Sequence, residues 1–214
     1  GRILGAFVFG WALVFIYYTR SELLTSNMMV TVIGVYHRRI SIPGGLRILA
    51  VCLLGNALGG ALVAAVLRLS TLTAGPTGEQ MRAAVDYKLA YLDSPAAAGD
   101  LFVRAVLCNL LINLAMLLVY NGYIKDDITK SLAMVTSVFL FALLSLEHSV
   151  ADTVLFLMVG FQHGLDPLRA LGCIALVLLG NFVGGGLLIG GYYAYANDER
   201  LLQRHIEHER GRHG

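Results

Sequence analysis

Leu143-Leu-Ser-Leu-Glu-His-Ser-Val-Ala-Asp-Thr153 interrupts an apolar run that begins near Leu132 and resumes as Val154-Leu-Phe-Leu-Met-Val-Gly160. About 20 residues suffice to cross a bilayer core, and this run is longer than that. Its middle holds Glu147, His148, Ser149 and Asp152. An ionised side chain at such depth costs roughly 2.5–3.5 kcal/mol on insertion scales. A helix broken there, with its polar groups lining a cavity, explains why the chain carries them. The stretch therefore predicts a discontinuous transmembrane helix with a histidine at the break. Two plainer roles stand beside that one. His148 could be a core residue bonded to a neighbouring helix, and Glu147 could tie the amides that the break frees.

The rest of the chain suits a membrane. Of 214 residues, 57% are hydrophobic and 14% charged, and the mean hydropathy is +0.70. Soluble domains carry about 25% charged residues. A formal charge of +2, without a basic stripe among aromatics, argues against nucleic acid. Cys52, Cys108 and Cys173 lie within apolar runs without C-x-x-C spacing and read as small core residues, not metal ligands. No cofactor or metal site is expected. The sequence opens on Gly1-Arg2 and has no small-residue cleavage site after its first apolar run, so a signal peptide is not expected and a true beginning upstream is.

Ile3 to Thr19 is apolar and runs into Arg20-Ser-Glu-Leu-Leu-Thr-Ser-Asn27, with apolar residues resuming from Met28 to Tyr36. This reads as a second interrupted helix. A basic loop with His37, Arg38 and Arg39 leads to a span from Ile48 to Leu67. The polar stretch Arg68–Arg104 follows, then a span from Ala105 to Tyr120 and a loop from Asn121 to Lys130. Past the broken helix and a connection over Phe161–Arg169, the last span runs from Ala170 to Ala196. Residues 197–214 read as a solvated, cytoplasmic tail. Nine Lys and Arg fall on the side of the Arg38 loop and the tail, against six on the other, which puts the C-terminus in the cytoplasm.

Both breaks belong to a repeat. Leu53-Leu-Gly-Asn-Ala-Leu-Gly-Gly60 returns as Leu178-Leu-Gly-Asn-Phe-Val-Gly-Gly185, an offset of 180 − 55 = 125. Glu22 and Asn27 map onto Glu147 and Asp152 at the same offset. Two matches in one register mark a duplication. The helix Ala105–Tyr120 then has its counterpart before residue 1. The expected fold is an all-α integral membrane protein with an inverted three-plus-three helix repeat and two broken helices, its first helix absent from this chain. One transmembrane domain covers 1–196, with a first half at 1–68 and a second at 104–196. Asn27 and Asp152 are expected to cap the restarting half-helices, and Thr25 and Ser149 to bond freed backbone groups. Half-helix N-termini meeting near the midplane favour an anion. The repeated glycines suit close helix packing, and Asn56 and Asn181 bonds across helices.

Glu147-His-Ser-Val-Ala151, the paired GN-x-x-GG spans, Glu22-Leu-Leu-Thr25 before a basic loop, and Cys108-Asn-Leu-Leu-Ile-Asn-Leu-Ala115 together resemble the formate/nitrite transporter family. The resemblance implies a homopentamer with one pore per subunit, carrying small monovalent anions and situated in a bacterial inner membrane. It implies a pore centre at His148 with Thr25 as hydrogen-bond partner, and Asn109 and Glu147 in the polar group beside it. Phe9, Leu13, Leu23, Leu24, Ile112 and Phe141 would form the apolar constrictions; their plainer role is core or lipid-facing packing. Lys88 would match a lysine of the polar group, although its spacing from Asn109 is longer than the pattern. Lys88 and Arg20 are candidates for attracting the anion. Three departures bear on the substrate: Leu24 where the family usually has Phe, Asp152 where it has Asn, and Arg20-Ser21 where it has small residues. The expected function is transport of formate, nitrite or similar weak-acid anions, proton-linked through His148. A channel for a neutral solute such as water or ammonia is the alternative in the same architecture. An enzyme is not expected, since neither H-E-x-x-H nor G-x-S-x-G occurs.

Overall fold

In the computed structural model, residues 1–198 are described, and the remainder of the expected tail lies outside them. The described chain is helical. Helix α1 spans Arg2–Tyr18, α2 Leu24–Tyr36, α3 Ile42–Arg68, α4 Pro76–Ala90, α5 Pro95–Tyr120, α6 Asp127–Leu143 and α7 Ser149–His163. Helix α8, Pro167–Asn181, runs on through a π-helical stretch, Phe182–Gly191, into α9, Tyr192–Ala196. Ile42–Arg68, Pro95–Tyr120 and Pro167–Ala196 are long and apolar enough to cross a membrane. Their starts are written in the sequence: Ser41, Ser94 and Asp166 each accept a backbone N–H of the first turn, with a proline just inside the helix.

The breaks fall at 19–23 and 144–148, at the beginning of the interruptions expected over Arg20–Asn27 and Leu143–Thr153. Each first half-helix ends in the same backbone motif. Arg20 N–H donates to Tyr17 O and Ser21 N–H to Ile16 O; Ser145 N–H donates to Ala142 O and Leu146 N–H to Phe141 O. The pivots Arg20 and Ser145 sit at φ 55° and 52°, the left-handed conformation that ends many helices. Without glycine this conformation costs about 1–2 kcal/mol. At Ser145 arginine side chains help to hold it, with Arg2 donating to Leu143 O at 2.6 Å and Arg104 to Ser145 O at 3.2 Å.

The offset of 125 recurs in the coordinates. It carries the starts of α1, α2 and α3 (2, 24, 42) onto those of α6, α7 and α8 (127, 149, 167). It also carries Arg20 onto Ser145. Helix α1 lies along α6, α2 along the π-helical stretch and α3 along α7, so each broken helix packs its second piece against the long rod of the other half. Helix α5 fills the far side of the second half. A Cβ on Gly180 would come within 2.6 Å of Ala105 Cβ, and one on Gly184 would run into the Val106 carbonyl, whereas Gly55 and Gly59 face open space. The glycines expected to serve packing therefore do so in the second copy and, in the first, at Gly60, where a Cβ would come within 2.7 Å of Val154.

The polar stretch Arg68–Arg104 is not a loop. It contains α4, whose C-terminal part is held to α8 by Arg169, which pairs with Asp93 and donates to Leu89 O at 3.0 Å. Its low hydropathy hid a helix that buries Val85 and Leu89 in the core beside Leu101, Ala105 and Phe156.

Candidate functional site

The two breaks meet. Thr25 Oγ1, in the first turn of α2, lies 3.0 Å from His148 Nε2 at the start of α7, and both residues are buried. His148 is itself the N-cap of α7: its Nδ1 accepts the Ala151 N–H at 3.2 Å. A ring nitrogen that accepts carries no proton, so the neutral ring holds its hydrogen on Nε2, donated towards Thr25 Oγ1. Phe141 stacks on the imidazole at 5.7 Å between ring centroids, 17° from parallel.

The expected caps are not the ones used. Asn27 and Asp152 stand inside the first turns, their own N–H groups already bonded to Leu23 O and His148 O. Both half-helices restart four residues earlier than those caps would set, from Leu23 and His148, and in each a distant side chain supplies an acceptor. Asn56 Oδ1 accepts Leu24 N–H at 3.0 Å, and Asn181 Oδ1 accepts Ser149 N–H at 2.9 Å. The asparagine amides complete the clamp by donating to Glu22 O and Glu147 O, both at 3.0 Å. Those pairs are again 125 residues apart. The Thr25 hydroxyl binds His148 instead of freed backbone, and the buried Ser149 Oγ has no partner among the described residues.

Asn109 is fully buried and donates to Thr25 O at 3.1 Å and to Asn181 O at 2.7 Å. Asn113 donates to the same Thr25 carbonyl at 3.0 Å and to Asn109 Oδ1 at 2.7 Å. The pair holds the α2 turn that carries Thr25. Asn113 was not singled out in the sequence, although its i, i+4 spacing from Asn109 on an apolar helix was a readable signal. Gly185 backs the pair, since any Cβ there would strike both amides. Glu147 does not tie backbone amides with its carboxylate. It pairs with Lys88 from α4, and Lys88 Nζ also lies 2.9 Å from Asp152 Oδ1.

The expected apolar set divides in two. Leu13, Leu23, Ile112 and Phe141 belong to one buried cluster, whereas Leu24 belongs to another with Met28 and Cys52, against Leu49, Leu53 and Phe182. Phe9 is half exposed and meets Phe141 edge-on at 5.9 Å. On one side a cavity of about 210 Å³ reaches Leu13 and Leu23, with Arg20, Glu22, Asn27 and Tyr120 also in its wall. Glu22 is held there by Asn27, which donates to its carboxylate at 2.8 Å. The arrangement supplies hydrophobic contacts around one donor and hydroxyl pair. Among the described residues no cluster of His, Cys, Asp and Glu suited to a metal occurs.

Comparison with known proteins gives a consistent result. A family model described as formate/nitrite transporter matches residues 1–195. A probable formate transporter from Methanothermobacter thermautotrophicus is 33% identical over 88% of this chain and 72% of its own. A solved structure described as an FNT family ion channel is 30% identical, superposes with a TM-score of 0.79, and is matched over 92% of this chain and 77% of that one. A pentameric formate channel with formate bound, 21% identical over 90% and 81% of the two chains, shares the fold at a TM-score of 0.71.

Proposed function

This chain belongs to the formate/nitrite transporter family, a family of membrane transporters and channels and not of enzymes, and from that premise we propose that it carries formate, nitrite or a similar weak-acid anion through a pore centred on His148 and Thr25. The observation that carries this reading is the 3.0 Å contact between His148 Nε2 and Thr25 Oγ1, made where two broken helices meet inside an apolar shell. Each half-helix presents an N-terminus, with its partial positive charge, towards that point. Asn109 positions Thr25, and Glu147 holds Lys88 beside the centre. Leu13, Leu23, Ile112 and Phe141 form the constrictions, with Phe9 outside Phe141 and Leu24 acting through packing on α3.

An apolar constriction rejects a bare anion because desolvation is costly, whereas the neutral acid passes more easily. Arg20, in the wall of the 210 Å³ vestibule, draws the anion in; the charge of Lys88 is already taken up by two carboxylates. Transport is proton-linked at His148, whose Nε2–H is the donor a passing anion meets. The functional unit is a homopentamer with pores inside the subunits, in keeping with the pentameric neighbour of the same fold. The orientation is that of a bacterial inner membrane with a cytoplasmic C-terminus, and the two halves run in opposite directions across it.

The test is uptake of formate and nitrite by proteoliposomes across pH 5 to 8, normalised to folded protein. The wild type takes up both, faster at lower pH. His148→Phe, which fills the space without a polar atom, abolishes uptake. His148→Asn leaves a leak with an altered pH profile. An unchanged profile in His148→Asn would remove the histidine from proton handling, and water or ammonia flux without anion uptake would favour the neutral-solute channel.

A further inference from the structure

Lys88, Glu147 and Asp152 make a cluster whose charges do not balance. Lys88 Nζ bonds Glu147 Oε2 and lies 2.9 Å from Asp152 Oδ1. Glu147 is 2% and Asp152 4% exposed. One ammonium against two carboxylates leaves an excess negative charge in a place where water does not screen it. Among the described residues, the titratable side chains around Asp152 are Lys88 from α4, Glu147 and His148 from the break, Cys108 from α5 and Cys173 from α8. Both cysteines are free thiols and add no positive charge. Helix α3, also packed on α7, brings the small Gly60 against Val154, and its Cys52 sits in the separate Leu24 cluster.

Two further observations point to what is missing. Asp152 Oδ2 is buried and has no hydrogen-bond partner among the described residues. The Asp152 and Glu147 carboxyl groups are also drawn to one ammonium, Lys88 Nζ, which brings the two together. Two carboxylates in that relation repel when both are ionised, and attract when one of them carries a proton. We propose that Glu147 and Asp152 together hold one proton at neutral pH, so that the Lys88–Glu147–Asp152 cluster is a proton-binding site of zero net charge one helical turn from His148.

The position gives the site a use. Asp152 N–H donates to His148 O at 2.9 Å, so the carboxyl pair and the imidazole share one turn of α7. His148 has both ring nitrogens engaged while neutral, Nδ1 with the Ala151 amide and Nε2 with Thr25. A second proton on the ring would have to displace the Ala151 N–H and undo the α7 cap. The carboxyl pair holds a proton without that loss, and its charge state acts on His148 through Lys88. Occupancy of the site does not depend on which solute crosses the pore.

The test is infrared spectroscopy of the full chain in lipid at neutral pH, reading the C=O stretch of protonated carboxylic acid. Solvent-exposed Asp and Glu are ionised under these conditions and do not contribute. The wild type shows one such group per chain. Asp152→Asn shows none, and so does Glu147→Gln, because the remaining carboxylate then balances Lys88. Lys88→Gln shows more than the wild type. No acid band in the wild type overturns the proposal and leaves a bound monovalent cation as the balancing charge. A band that survives in both Asp152→Asn and Glu147→Gln overturns it as well. The wild-type spectrum is decisive by itself, so the outcome does not hang on whether a variant folds.

Discussion

Gly184→Ala and Gly59→Ala change equivalent positions of the repeat, 59 + 125 = 184, and are expected to act in opposite directions. A Cβ on Gly184 would overlap the Val106 carbonyl oxygen and lie 2.9 Å from its carbon and 3.1 Å from Leu110 N. All three atoms are α5 backbone, so no side chain can turn aside and the two helices must move apart. Overpacking typically costs about 1–3 kcal/mol, and a backbone collision belongs at the upper end. Alanine returns about 1 kcal/mol through helix propensity. The net loss is about 2 kcal/mol, or roughly 30-fold in the folding equilibrium. A Cβ on Gly59 meets nothing within 4 Å, so only the propensity gain of about 0.5–1 kcal/mol remains there. Unfolding of the 214-residue chain in mixed micelles, followed by helical signal against denaturing detergent, measures the difference of about 3 kcal/mol. Wild-type stability in Gly184→Ala, or equal losses at the two positions, would refute the packing argument. If a helix equivalent to α5 covers α3 in a longer chain, the Gly59 effect changes sign there.

Asn181→Leu removes acceptance of Ser149 N–H and donation to Glu147 O and Ala105 O; Asn56→Leu removes acceptance of Leu24 N–H and donation to Glu22 O. Hydrogen bonds between membrane helices average about 0.6 kcal/mol, and groups left unpaired add to that. Asn181→Leu is therefore expected to destabilise by about 2–4 kcal/mol and Asn56→Leu by about half as much, in the same unfolding assay; the reverse order would contradict the clamp geometry. Asp126, in the loop before α6, is held below the usual carboxylate range by the Thr129 N–H it accepts. Its contribution is present at neutral pH and lost as pH falls through the lowered value. Asp126→Ala should lower stability at pH 7, and its difference from wild type should vanish in acid; a gap that persists there would assign the effect to something other than the ionised cap.

The breaks were legible because the repeat showed them twice, and the meeting of Thr25 with His148 followed from the resemblance those motifs carry. What local sequence could not give was where each helix restarts. Asn27 and Asp152 have the right chemistry for caps, but the acceptors come from Asn56 and Asn181, each about 30 residues away on the next span. At α2 the restart is fixed by that tertiary partner alone and leaves no trace in the residues beside it, whereas at α7 His148 adds a local cap on the Ala151 N–H. Helix α4 was hidden for a related reason. Its exposed faces make its composition polar, yet it buries Val85 and Leu89 and carries Lys88 to carboxylates 59 and 64 residues further on (147 − 88 and 152 − 88). The spacing that set Lys88 apart from the family pattern did not prevent that contact. Apart from half-exposed Phe9 the apolar set is buried, but its division was not legible, because Leu23 and Leu24 are neighbours on the chain that enter different clusters.

The scaffold repeats itself along the chain, whereas the site depends on where the two stretches differ. The left-handed pivots, the helix starts and the asparagine clamps all recur at 125 residues. Within that frame His148 answers to Leu23, Val150 to Thr25 and Asp152 to Asn27. Thr25 and His148 are not equivalent positions, so a hydroxyl from one half meets an imidazole from the other, the hydroxyl oxygen accepting and the ring donating. The same asymmetry separates the next pair. Asn27 is neutral and holds Glu22 at 2.8 Å, whereas Asp152 is a carboxyl and meets Lys88, brought by α4. The residues that depart from the repeat at the second break thus lie within one turn, 148 to 152, where a polar pair facing the first break and a charge cluster facing α4 share the same helix start.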